Sequence, residues 1–252
     1  MFAQKKIACI IPARLESTRF PQKVLANLAG KPLLQWVWDA ANETTFFSDI
    51  VFAIDSEKTA KVIKIFGGKY LMTSPECKSG TDRLIEIVHS GKIEADIFLN
   101  WQADEPFITP EMIKTLLQTC HKKDDADIWT LKKRIENQDD VVSPNIAKVV
   151  CDVDDYALYF SRSTIPFYRD NDQNTKLYYK HVGIYAYTID ALRKIAKIGH
   201  SYLEDAEKLE QLRFLHHKFS IKVHETSEEV IGIDTPQDLR RAEEYARGVK
   251  VI

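Results

Sequence analysis

Short β-branched segments alternate with longer segments of helical period through the first half of the chain, and this order constrains the fold more than any other feature. Strands are predicted at residues 6–11, 50–54, 69–73 and 96–100, with helices at 33–41, 57–66 and 82–88 between them. Such alternation specifies an α/β fold, a mostly parallel sheet covered by helices. Thr109 and Pro110 supply a cap and a first-turn proline, after which Met112, Ile113, Leu116, Leu117 and Cys120 recur on one helical face. Pro32 opens a similar helix, in which core packing accounts for Trp36 and Trp38 more simply than base stacking does.

The pattern changes after residue 126. Segments 128–135, 146–151, 157–160 and 181–187 read as antiparallel strands, a small lobe or a sheet extension able to pair subunits. Between them residues 164–176 form a polar stretch long enough to act as a lid. A long helix over 202–218 and a strand over 220–224 follow. The chain then returns through a short apolar strand, Ile231-Gly232-Ile233, to Asp234 and a helix start built from Thr235, Pro236 and Asp238. The expected divisions are 1–126, 127–200 and 201–252.

A chain of 252 residues with 44% hydrophobic content can bury a real core, which excludes disorder and a disulfide-stapled miniprotein. Lys and Arg total 35 against 37 Asp and Glu, so no global basicity recruits nucleic acid or an anionic membrane. Cys9, Cys77, Cys120 and Cys151 form no CxxC pair and are expected to be buried, reduced thiols. No stretch approaches about 18 uncharged apolar residues, so a cytoplasmic protein without stable membrane insertion is expected.

Within this slightly acidic chain, residues 1–35 carry Lys5, Lys6, Arg14, Arg19, Lys23 and Lys31 against Glu16 alone, a net charge of +5. A basic loop directly after the first strand suits a polyphosphate, since guanidinium forks, an ammonium and backbone N–H groups can take separate oxygens. A solvated basic loop is the plainer alternative, and neither a Walker motif nor GxGxxG is present. The turn Thr73 to Arg83 offers small hydroxyls and exposed amides to the edge of a ligand ring; Asp82 could equally cap a helix, with Arg83 its surface partner. Asp104 follows the strand ending at Asn100, and Asp234 stands at another expected strand end. Two such carboxylates suffice for Mg2+ when phosphates and water complete its octahedron, although turn or capping roles are open for each. Arg162, His181, Tyr185, Glu210 and Gln211 could bind a polyhydroxylated acid, or could be a surface ion pair, strand packing and a solvated helix face.

Taken in order, Ile11-Pro12-Ala13-Arg14, Ser79-Gly80-Thr81-Asp82-Arg83, Gln102-Ala103-Asp104-Glu105-Pro106, Tyr159-Phe160-Ser161-Arg162-Ser163, Lys180-His181-Val182-Gly183-Ile184-Tyr185 and Glu207-Lys208-Leu209-Glu210-Gln211-Leu212-Arg213 resemble the 3-deoxy-manno-octulosonate cytidylyltransferases, or CMP-Kdo synthetases, along essentially the whole chain. The resemblance implies a Rossmann-like nucleotidyltransferase sheet in residues 1–126. It implies a smaller antiparallel part for sugar binding and dimerisation in 127–200, and a return to the main domain with a pocket helix and a metal-binding aspartate in 201–252. It implies transfer of CMP from CTP to Kdo for lipopolysaccharide assembly, with Mg2+ and a homodimer.

By the same resemblance Ala13, Arg14, Arg19, Lys23, Ser79, Gly80, Thr81, Asp82 and Gln102 bind the nucleotide. Arg14, Arg19, Lys23, Asp104 and Asp234 carry catalysis, with Asp104 and Asp234 on the metal, and Arg162, His181, Tyr185, Glu210 and Gln211 hold the sugar acid. Gln22 and Ala103 stand where the family commonly has glycine, so each would be strained if its position required φ > 0. Thr164 and Asp205-Ala206 leave room for a variant acceptor such as 8-amino-Kdo; sialic acid as acceptor and an inactive nucleotide-binding protein are the other readings.

Overall fold

The computed structural model describes residues 5–17, 20–121, 126–170 and 176–248. Its contacts divide the chain into two compact units, Met1–Ile113 with Glu229–Ile252, and Lys114–Glu228.

The first unit contains β1 (Ile7–Ala13), a short antiparallel ribbon of β2 (Asn27–Leu28) and β3 (Lys31–Pro32), α1 (Leu33–Glu43), β4 (Asp49–Ile54), α2 (Glu57–Ile65), β5 (Tyr70–Met72), α3 (Gly80–Ser90) and β6 (Ile97–Asn100). α4 (Pro110–Leu116) straddles the boundary, and Thr109 accepts the amide of Met112 at 3.2 Å as its sequence position predicts. The strands lie in the order β6-β1-β4-β5, all parallel. Every residue of β1 is buried, as a central parallel strand covered on both faces requires. α1 turns Leu33, Leu34, Val37 and Ala41 inward, and Trp38 stacks on Phe52, so both tryptophans of this helix are packing residues. Each of the buried Leu and Val side chains contributes roughly 1.5–3 kcal/mol.

The second unit contains β7 (Ile128–Arg134), α5 (Gln138–Val142), β8 (Lys148–Cys151), β9 (Ala157–Ser161), β10 (Tyr179–Thr188), α6 (Ile189–Ile195), α7 (Tyr202–Glu207), α8 (Gln211–His216) and β11 (Ile221–Glu225). β10 runs antiparallel to β7 and β8, β8 antiparallel to β9, and β11 parallel to β7. α9 (Pro236–Ala246) belongs to the first unit and begins with the expected capping box of Thr235 and Asp238.

Several expectations change. The helix expected over 202–218 is two helices, because Lys208 adopts φ 52° and Glu207 is drawn to β9, where it accepts the Ser161 hydroxyl at 2.6 Å and the Arg162 amide at 2.9 Å. Residues 201–228 pack with the second unit, not the first, since α8 lies on β9 and β11 pairs with β7. The segment 231–233 forms no strand. Cys9 and Cys120 are buried, whereas Cys77 and Cys151 are only partly so; all four are free thiols. Of the loop 164–176, residues 171–175 lie outside the described residues. No helix among the described residues is long and apolar enough to cross a membrane.

Lys148 on β8 is fully buried, yet each of its ammonium hydrogens meets a carbonyl: Ser143 at 2.8 Å, Ile146 at 2.7 Å and Arg162 at 2.6 Å. Burial lowers its pKa, while the three carbonyls fix the approach to β8 and the end of β9. Lys148→Met keeps the volume but takes the ammonium away from three carbonyls, of which Ser143 retains the Ile146 amide at 3.3 Å, and should cost about 2–3 kcal/mol in urea denaturation. A loss under about 0.5 kcal/mol would mean that water or another donor replaces the ammonium.

Candidate active site

In the first unit β1, β4 and β6 are parallel, so the residues that follow their carboxyl ends emerge on one edge of the sheet, the edge where open α/β folds bind ligands. Arg14 follows β1, Asp55 follows β4 and Trp101 to Asp104 follow β6. Asp55 joins two of the loops. One carboxylate oxygen accepts the Leu15 amide at 2.9 Å and the other accepts from the Arg83 guanidinium at 2.7 Å. Arg83 also donates to the Thr73 hydroxyl at 2.5 Å and is 2% exposed, so it is a buried brace and not the surface partner expected for Asp82. Asp82 completes the capping box of α3 with Ser79 and accepts the Lys78 amide at 2.9 Å. A Cβ on Gly80 would lie 3.3 Å from Asn100, Gln102 and Pro12, so glycine lets the start of α3 approach two strand ends closely.

Lys23 opens a 3-10 turn, Lys23–Leu25, and its ammonium lies 2.5 Å from Asp104 and 2.9 Å from Asp234. Those carboxylates are 130 positions apart in the chain. What brings them together is local: the Ile233 amide donates to the Asp104 carbonyl at 2.9 Å, and Ile233 is buried with Leu28, Leu33 and Ala242. Asp238 then holds the Asp234 and Thr235 amides at 3.1 and 2.8 Å. Burial works against the Lys23 charge, but the two carboxylates outweigh it and raise the pKa above its ordinary value. Gln22, immediately before the turn, adopts φ 56°, and its side-chain oxygen accepts from Lys58 on α2. Ala103 is not among the described non-glycine residues with positive φ, so of the two glycine replacements only Gln22 bears left-handed strain.

These elements enclose a cleft of about 250 Å³ lined by Arg14, Ser17, Lys23, Lys78, Ser79, Gly80, Arg83, Gln102, Asp104 and Asp234 among others. Ala13 and Thr81 are buried and do not line it, and Asp82 is engaged in capping. Arg19 lies outside the described residues. The sequence reading missed Ser17, Lys78 and Cys77 as lining residues and Asp55 as the link between loops, although Asp55 follows a predicted strand just as Asp104 nearly does. Burial, with a hydrogen bond to Glu86, pushes the Cys77 thiol up to about 11.

In the second unit a register shift in β10 between Val182 and Tyr185 inserts two residues, pairing His181 with Lys132 but Tyr185 with Thr130. An insertion of two keeps both side chains on one face and shortens their separation along the strand. Four residues of regular strand span roughly 13 Å, yet the two ring centroids are 5.3 Å apart. Burial, Tyr187 and Glu210 all raise the Tyr185 pKa, so it remains a neutral hydroxyl donor. Burial lowers His181 to about 3. Gln211 is 4% exposed, which removes the solvated-face reading, and Glu210 accepts from Arg213 at 2.7 Å. The Arg162 guanidinium donates to the Glu207 and Pro144 carbonyls at 2.7 and 2.9 Å, bracing the α7–α8 turn with part of its donor set.

A phosphate-suited cleft at the carboxyl edge of a parallel sheet, with paired carboxylates around one cation, defines a nucleotidyltransferase, and residues 8–223 match the family model described as Cytidylyltransferase. A 3-deoxy-manno-octulosonate cytidylyltransferase of Geobacter sulfurreducens is 45% identical over 93% of this chain and 97% of its own length. The namesake protein of Geobacter metallireducens is 45% identical over 95% of this chain and 97% of its own. The solved structure of a CMP:2-keto-3-deoxy-manno-octonic acid synthetase complexed with CTP superposes with a TM-score of 0.91 at 38% identity, covering 96% of this chain and 99% of that one. The chain therefore belongs to the cytidylyltransferases and, within them, to the 3-deoxy-manno-octulosonate cytidylyltransferase family.

Two variants probe this scaffold. Asp55→Ala leaves the buried Arg83 without its carboxylate and should cost about 3 kcal/mol in denaturant unfolding; a change within about 0.5 kcal/mol would show that Arg83 needs no anion. Gln22→Gly removes the left-handed strain and should raise stability by about 1 kcal/mol, read as a higher thermal midpoint. A lower midpoint would mean that the contact with Lys58 outweighs the strain.

Proposed function

We propose that the protein transfers CMP from CTP to 3-deoxy-D-manno-octulosonate, giving CMP-Kdo and pyrophosphate for lipopolysaccharide assembly in the cytoplasm, and that it works as a homodimer. The observation that carries this reading is the convergence of Lys23, Asp104 and Asp234 in a polar cleft of a chain so similar to Kdo cytidylyltransferases.

In this reading the first unit binds the nucleotide. Arg14, Lys23 and Arg19 take triphosphate oxygens, and Ser79, Gly80 and Gln102 face the cytidine, with Ala13, Thr81 and Asp82 supporting them from behind. Among the described residues no cluster of three or more His, Cys, Asp or Glu exists that could hold a metal alone. Two carboxylates sharing one cation nevertheless suit Mg2+, which takes one or two protein carboxylates and completes its shell with phosphate and water. Asp104 and Asp234 would hold that ion, which when bound neutralises the triphosphate and polarises the α-phosphate. Lys23 is the group already neutralising the two aspartates, so its ammonium is at hand for a phosphate oxygen once another cation takes that role. Arg14 and Lys23 then stabilise the charge that builds on departing pyrophosphate as the sugar's anomeric hydroxyl attacks the α-phosphorus in line. The acid belongs to the second unit, with Arg162, His181, Tyr185, Glu210 and Gln211 as its polar contacts.

Pyrophosphate release from CTP should require both Kdo and Mg2+ and stop on chelation with EDTA. Asp104→Asn should lower kcat by about a hundredfold or more. Release without the acid, or near-normal turnover of Asp104→Asn, contradicts the assignment. A panel of Kdo, 8-amino-Kdo and sialic acid fixes the acceptor, because a pocket built around particular hydroxyls rejects analogues that lack them.

A further inference from the structure

The bulge in β10 gives Thr130 an unusual set of neighbours. Its hydroxyl oxygen is 2.8 Å from the Ile184 carbonyl, 3.1 Å from the Val182 carbonyl and 3.0 Å from Nε2 of His181. Thr130 is fully buried, while His181 as a residue is partly exposed. A hydroxyl has one hydrogen and two lone pairs, and a carbonyl only accepts. If Nε2 carried a lone pair, that single hydrogen would face three acceptors, and two would press against the oxygen unpaired. With a proton on Nε2, the ring donates to the Thr130 oxygen and the Thr130 hydrogen goes to a carbonyl, the Ile184 carbonyl being nearer. Among the described residues the ring's hydrogen bond goes to Thr130 alone, so no other side chain competes to set the tautomer.

We infer that Thr130 is a positioning residue for acceptor recognition: it fixes neutral His181 as the Nε2–H tautomer and leaves Nδ1 as a lone-pair acceptor for a hydroxyl of the sugar acid. This inference rests on the second unit being the acid-binding part. It gives His181 a defined chemical role, because an Nδ1 lone pair selects an O–H or N–H donor and repels a carboxylate. The acid's carboxylate must therefore be held by other groups, and the Arg162 hydrogens not engaged by carbonyls are suited to it. The bulge is part of the device, since without it one hydroxyl would not meet two carbonyls of the same strand.

The test is long-range 1H–15N correlation on the full-length protein carrying 15N-labelled histidine. Seven histidines are present, and a His181→Gln spectrum assigns the resonance. The wild-type protein should show His181 protonated on Nε2 and bare on Nδ1 throughout the neutral pH range. Thr130→Val should mix the tautomers and raise KM for Kdo about tenfold, the loss expected for one hydrogen bond, with KM for CTP unchanged. Thr130→Ser should restore both the spectrum and KM. An Nδ1-protonated ring in the wild type overturns the inference, as does a Thr130→Val protein whose tautomer or whose KM for Kdo does not move. Should Thr130→Val fail to fold, the wild-type spectrum and the Thr130→Ser kinetics still decide it. Unchanged KM for Kdo in His181→Gln would instead remove the acid-binding reading of the second unit, with the tautomer still judged by the spectra.

Discussion

One ammonium group held between two carboxylates organises the first unit. Lys23 reaches Asp104 from a turn after β1, and Asp234 arrives from the far end of the sequence because Ile233 bonds the Asp104 backbone. Two carboxylates drawn to one point repel, and the Lys23 ammonium between them offsets that repulsion. In this way the two aspartates are neutralised from within the unit by Lys23. The wall around it is equally constrained, with Asp55 joining the Arg14 loop to buried Arg83, and Gly80 admitting α3 to the strand ends.

The second unit solves a different problem, the pairing of buried polar groups. Lys148 spends its hydrogens on three carbonyls, Arg162 braces the turn between α7 and α8, and Thr130 serves two carbonyls and a ring nitrogen. Lys148 and Arg162 tie backbone segments together, and Thr130 ties β7 to the bulge of β10. Polar groups satisfied in this way hold their surroundings still.

The parallel core was legible because β1, β4 and β6 are continuous apolar runs and the helices between them carry clear stripes and caps. Asp104 was placed by its position four residues past β6, Lys23 by the basic loop after β1 and Ser79 by the polar turn before α3, and the ordered motifs indicated the family. What escaped was set by tertiary contact. The break at Lys208 depends on Glu207 being captured by β9, and nothing in the periodicity of 202–218 announces it. Arg83 reads as a surface residue until Asp55 and Thr73 are seen around it. The two-residue bulge that joins His181 to Tyr185 has no local signature beyond Gly183. α5 and α6 also escaped because they are short, although Asn137 and Thr188 cap them through ordinary side-chain bonds.

The most direct test of the central claim is a crystal structure of the protein with CTP and Mg2+. An ion reached by Asp104 and Asp234, directly at about 2.0–2.1 Å or through its water shell, with the Lys23 ammonium moved onto a phosphate oxygen, is the predicted result. Lys23 still lodged between the two aspartates, with the metal and triphosphate bound beyond the reach of both carboxylates, would contradict it.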